Sequence, residues 1–170
     1  MTTRTRGLLA AAGLLACIVL ANVTLDHFGF WAIGPFAIAS GVIWAGVALT
    51  LRDGVQDTLG AWPVPFLIVA GAGLSYFAAG PELAIASGAA FALGEFLDFG
   101  VYTPLRRRGL IRAVLASNLV GGVADSWLFL SLAPFPWSAK DVVGLALAKM
   151  VVTAATLAVI GAVGARSRQR

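Results

Sequence analysis

The feature that most constrains this chain is a recurrence of apolar stretches about twenty residues long, separated by short polar or turn-forming segments. About twenty apolar residues in a helix span the hydrocarbon core of a bilayer. Inside that core only helices and closed barrels satisfy every backbone polar group. Hydrophobic residues make up 59% of the sequence and charged residues 12%, about half the charged fraction of a soluble domain. The sequence therefore predicts an all-α membrane protein. Its 170 residues form one domain of six transmembrane helices in one compact bundle, with spans near 7–25, 32–52, 62–80, 83–104, 110–133 and 142–165.

The breaks between spans carry turn and interface chemistry: "DHFGFWAIGP", "DGVQDTLGAWPVP", "AAGPE", "RRRG" and "APFPWSAKD". The basic, then apolar start "MTTRTRGLLAAAGLLACIVLA" has the build of a secretory signal, but further spans follow, and it reads as the first membrane helix. Short linkers make neighbouring helices antiparallel. Arg4, Arg6, Arg52, Arg106, Arg107, Arg108, Arg112, Arg166, Arg168 and Arg170 all fall on one side, against Lys140 on the other. That asymmetry places both termini in the cytoplasm. It also accounts for the "RRRG" run as a topology signal, so no nucleic-acid partner is expected. Trp31, Trp62 and Trp137 stand near span ends, where interfacial tryptophans belong.

Four ionisable residues remain inside the spans: Glu95, Asp98, Asp125 and Lys149. At 1.5 Å per residue, Glu95 lies roughly 16 Å and Asp98 about 12 Å from the arginine cluster. A charge facing lipid at that depth costs about 2.5–3.5 kcal/mol on the insertion scale, so these side chains are expected to face protein or a cavity. Ala84, Gly88, Ala92, Glu95 and Asp98 follow spacings of three and four and share a helix face. Small residues on such a face admit a neighbouring helix. Asn118, Gly121, Gly122 and Asp125 repeat the arrangement on the fifth span, Lys149, Thr153 and Thr156 on the sixth, and Asn22 and Asp26 on the first.

A structural salt bridge, Asp125 with Lys149, is one explanation of these charges. Three acids against one base leave two carboxylates over, and such groups must be protonated, hydrated or matched by a ligand. Trp44, Phe91 and Trp127, with Phe96 and Phe129 nearby in sequence, offer flat faces for stacking. A planar heterocycle with several N–H donors fits such a pocket. A cationic metabolite or a proton relay fits the chemistry equally.

The stretches "ALGEFLDFGVYTPLRRRG" and "RAVLASNLVGGVADSWLFLSLA" resemble the queuosine-precursor transporter family, also described as vitamin-uptake-transporter-like. The family pattern falls on Glu95 and Asp98, Ser117 and Asn118, Asp125 and Ser126, and Lys149. Asp53, Asp57 and Gly60 in "RDGVQDTLG" and Asn22 in "LAN" also match. Departures are Gly122, Leu59, Asp57 and Thr156, which stand where members often carry an amide, an aromatic, Glu and a further acid. The resemblance implies a multi-pass protein of the bacterial inner membrane that imports 7-deazaguanines such as the nitrile preQ0 or the aminomethyl preQ1. It implies substrate binding by Glu95, Asp98, Asn118, Asp125, Lys149 and Asn22, with Phe91, Trp127 and Trp44 as stacking surfaces. The partners are then a purine-like solute and the lipid bilayer. A homodimer is left open.

Two other readings stand beside this one. "DGVQDTLG" is similar to the acidic start of the CDP-alcohol phosphotransferase motif, but the downstream aspartates are missing, and Asp53 and Asp57 read as a helix cap and an ion pair with Arg52. No enzyme activity, cofactor or metal site is expected. A single cysteine, Cys17, and a single histidine, His27, agree with that expectation. The other reading is the substrate-binding subunit of an ATP-driven vitamin or nucleobase uptake system. With no P-loop in the sequence, a partner would then hydrolyse the ATP.

Overall fold

The structure is a computed structural model that describes residues 2–106 and 110–168. Arg107, Arg108 and Arg170 lie outside the described residues, as do the side chains of Arg106, Arg112, Ser117, Asn118, Arg166 and Arg168. Six helices run through the described chain: α1 (Thr3–Phe28), α2 (Val42–Leu59), α3 (Pro63–Ala79), α4 (Pro81–Arg106), α5 (Leu110–Leu132) and α6 (Ala139–Arg168).

Local chemistry sets several of their ends. The Thr2 hydroxyl caps α1 by accepting from the Thr5 amide at 3.2 Å. Proline opens both α3 and α4, where a missing N–H costs nothing. At α6, Asp141 Oδ2 accepts from the Ser138 amide at 2.8 Å and from its hydroxyl at 2.6 Å. This is a capping box in which the acid three residues in reaches back to the cap.

The expected all-α architecture needs one correction. Residues 30–39 do not begin the second helix, as the 32–52 span required. They form an antiparallel hairpin, β1 (Phe30–Ile33) and β2 (Phe36–Ala39), with Ile33 opposite Phe36. The physical reason is the pair Gly34–Pro35. Gly34 holds φ +58°, which a two-residue hairpin loop needs at its first position. The aromatic and branched residues beside it suit strands. The second helix consequently starts ten residues later and runs on to Leu59, which carries Arg52, Asp53 and Asp57 inside a helix.

The hairpin is fastened to α6. Asp141 Oδ1 accepts from the Ala37 amide at 2.7 Å, and Phe36 packs so closely on Gly144 that a methyl there would overlap its ring.

The helices pack in the cyclic order α1–α2–α6–α5–α4–α3 and back to α1. Two apolar layers fill the interior. One, at the hairpin end, includes Leu25, Ile38, Leu83, Leu130 and Leu145. The other, at the opposite end, includes Leu14, Ile18, Ala48, Val55 and Ile68. Glycines set the tightest crossings. A Cβ on Gly121 of α5 would stand 3.0 Å from the Gly94 carbonyl oxygen of α4. A Cβ on Gly46 of α2 would stand 2.6 Å from the Val152 side chain and 3.1 Å from the Lys149 carbonyl oxygen of α6.

The outer surface is strongly apolar. Phe77, Phe96, Phe66, Val69 and Val151 are all more than two-thirds exposed, while Arg52, Asp141 and Lys149 are buried. A soluble protein shows the reverse distribution. By length and composition, α1 and the segment Ala139–Ile160 of α6 are each apolar enough to cross a membrane.

Candidate functional site

A cavity of about 300 Å³ opens between α2, α4, α5 and α6, walled by charged side chains: Arg52, Asp53, Glu95, Asp98, Asp125 and Lys149. Its apolar walls include Leu49, Phe91, Met150 and Leu157. Gly121 and Gly94 bring α4 and α5 close enough for Asp98 and Asp125 to share one wall.

Two ion pairs cross this space. Lys149 Nζ donates to Asp125 Oδ2 at 2.8 Å, linking α6 to α5. Arg52 Nη1 donates to Glu95 Oε2 at 3.0 Å, linking α2 to α4. The same Nη1 lies 4.0 Å from Asp98 Oδ2. Arg52 Nε stands 3.1 Å from Asp53 Oδ1, but out of line, and it has no hydrogen-bond partner among the described residues.

Arg52 is the residue that sequence reasoning missed. Read as a loop arginine on the cytoplasmic side, it left Glu95 and Asp98 without a base. Its side chain is in fact only 8% exposed and is the nearest cation to both. The signal was present: Ala48, Arg52, Val55 and Leu59 repeat at spacings of four, three and four, so the apolar stripe of α2 runs through the arginine. The ion pair expected between Arg52 and Asp53 does form, on a helix rather than in a loop.

A second, smaller cavity of about 60 Å³ lies towards the hairpin, with Asn22, Ala39, Gly41, Ser87 and Phe129 in its wall. It shares Leu49, Phe91, Asp125 and Lys149 with the larger one. The Asp125–Lys149 pair thus stands between two spaces. The Asn22 side chain is buried, and its Nδ2 has no partner among the described residues.

Of the residues singled out from sequence, the structure gathers Glu95, Asp98, Asp125, Lys149 and Phe91 around the larger cavity and Asn22 around the smaller. Asn118 is on α5, with its side chain outside the described residues. Trp127 is half-exposed on the outer surface. Trp44 donates from Nε1 to the Thr24 hydroxyl at 3.0 Å and walls neither cavity. Thr153 lines the larger cavity, whereas Thr156 bonds back to the Val152 carbonyl of its own helix. Asp26 is exposed beside His27. The small-residue stripe of α4 admits a neighbouring helix as expected, Gly88 meeting Ala72 of α3, and the close contact with α5 is made by Gly94.

Residues 27–163 match the model of a family described as "Putative vitamin uptake transporter". The chain belongs to that family. The match begins at the end of α1 and takes in the hairpin and nearly all of the other five helices. Searches of curated proteins and of solved structures found no match. In this uptake-transporter chain, then, the ionisable groups are drawn inward around a space of ligand-pocket size. The apolar side chains face outward. That is the arrangement of a membrane protein with a polar path within it.

Proposed function

We propose that this chain imports 7-deazaguanine precursors of queuosine, of the preQ0 and preQ1 type, through the larger cavity. The observation that carries the reading is the cavity wall itself. Carboxylates from three helices and two cations surround about 300 Å³, and Phe91 offers a flat face in the same wall. A guanine-like edge presents adjacent N–H donors, which carboxylates accept well. In this reading Glu95 and Asp98 take the base edge, with Asp125, Asn118 and Asn22 completing the path. Lys149 holds Asp125 until substrate or a proton arrives.

The same proposal has both termini in the cytoplasm and the chain as a multi-pass protein of the inner membrane. The arginine asymmetry supports that orientation. Transport without catalysis is the activity proposed.

The test is thermal unfolding of purified protein with preQ0, preQ1, queuine and guanine, with Glu95→Gln as control. A ligand at a hundredfold excess over Kd stabilises by about 2.7 kcal/mol. Stabilisation by a deazapurine, weakened in Glu95→Gln, is the expected result. No shift with any of them in folded protein counts against the substrate class. Uptake into vesicles reconstituted with this chain alone, without ATP, separates a self-sufficient transporter from a binding subunit.

A further inference from the structure

The charges around the larger cavity do not cancel. Arg52 and Lys149 face Glu95, Asp98 and Asp125 in the interior, with Asp53 at a more exposed rim. Lys149 is engaged by Asp125, and Arg52 gives its hydrogen bond to Glu95. Asp98 has only the 4.0 Å approach to that same guanidinium among the described residues. Of the packed elements, α2 supplies Arg52 and Asp53, α4 the two neighbouring carboxylates, α5 Asp125 and α6 Lys149. α1 brings only the neutral Asn22, to the smaller cavity. The interior wall therefore holds one carboxylate more than it holds cations. Arg52 is itself nine-tenths buried and already shared between Glu95 and Asp53, so it does not match Asp98 as well.

We infer that the cavity takes a ligand of net charge +1: a bicyclic heterocycle bearing an ammonium group, in preference to its neutral counterpart. The inference rests on the reading of this cavity as the substrate site. An unmatched carboxylate away from bulk water is costly. A ligand cation supplies the missing charge on arrival. A neutral ligand leaves the extra carboxylate to a proton or to water. Of the two precursors, the aminomethyl compound has the required charge, because a primary alkylamine stays protonated at pH 7. The nitrile does not.

The two compounds share one base edge and differ in the substituent, so the ratio of their dissociation constants isolates the charge. Equilibrium binding of each to the purified full chain at pH 7 is the experiment. The aminomethyl compound is expected to bind at least about tenfold more tightly, as a charge-assisted contact requires. Asp98→Asn and, separately, Glu95→Gln each remove one negative charge. Both should bring the ratio towards one, with thermal unfolding verifying that each variant is folded. Nitrile binding as tight as that of the aminomethyl compound overturns the charge inference and leaves the deazapurine reading standing. So does a preference that survives both neutralising substitutions. Binding of neither compound by folded protein overturns the reading of the site, and the inference with it.

Discussion

Arg52 of α2 donates a 3.0 Å hydrogen bond to Glu95 of α4, across the cavity, between two helices that are not neighbours in the packing order. Both side chains are less than a quarter exposed. Removing the arginine leaves a carboxylate without its cation. Arg52→Met is expected to destabilise the protein by about 1.5–3 kcal/mol, the scale of a hydrogen bond to a charged group. Arg52→Met combined with Glu95→Gln should lose less than the sum of the single changes. A double-mutant cycle on thermal unfolding in detergent measures that coupling.

The pair Lys149–Asp125 makes a different demand, because it stands where two cavities meet. Lys149→Met is expected to lower uptake at least tenfold, as an estimate of about 1.4 kcal/mol or more in the transport step. Lys149→Met with Asp125→Asn should recover thermal stability, since no unpaired charge remains, but not uptake. Recovery of both in the double variant would mean that the pair is structural only.

Gly121 and Gly73 separate close packing from mere helix composition. A side chain at Gly121 meets the Gly94 carbonyl, whereas one at Gly73 meets nothing within 4 Å. Gly121→Val is expected to cost about 1–3 kcal/mol by forcing α4 and α5 apart. Because Asp98 and Asp125 sit on those two helices, ligand affinity should fall with it. Gly73→Ala should leave stability and affinity unchanged. Thermal unfolding and ligand binding on the two variants check both statements.

Asp141 holds the hairpin to the start of α6 through the Ala37 amide, while its other oxygen caps the helix at Ser138. Asp141→Ala removes both functions and is expected to cost about 1–3 kcal/mol. Asp141→Asn keeps one acceptor oxygen and should cost less. Hydrogen exchange at the Ala37 amide gives the local readout, and its protection should drop in Asp141→Ala before the helices themselves open.

Much of the site was legible because its residues contradict their surroundings. Glu95, Asp98, Asp125 and Lys149 interrupt apolar helices, and such interruptions force a side chain inward whatever the detailed packing. Arg52 was not legible in the same way, because an arginine near an assumed span end reads as a loop residue. Only the continuation of the α2 stripe to Val55 and Leu59 reveals it as buried. The hairpin hid for another reason. "FWAIGPFAIA" is as apolar as a membrane span, and hydropathy alone does not separate short strands around Gly-Pro from a helix start. Spacing groups Gly88 with Glu95, but which neighbour each meets depends on how α3 and α5 are placed around them.

A thin layer of Leu49, Phe91 and the Asp125–Lys149 pair separates two hollow regions, and hollow regions that admit water carry the electrical potential of the solution they reach. Where the two regions open to opposite solutions, the voltage of an energised bilayer drops mainly across that layer rather than across the full thickness. Moving one elementary charge through the whole drop involves about 2.3 kcal/mol per 100 mV. For a solute of charge +1 travelling towards a negative cytoplasm the field pulls inward, so uptake would accumulate the solute without ATP and would collapse when the potential is discharged.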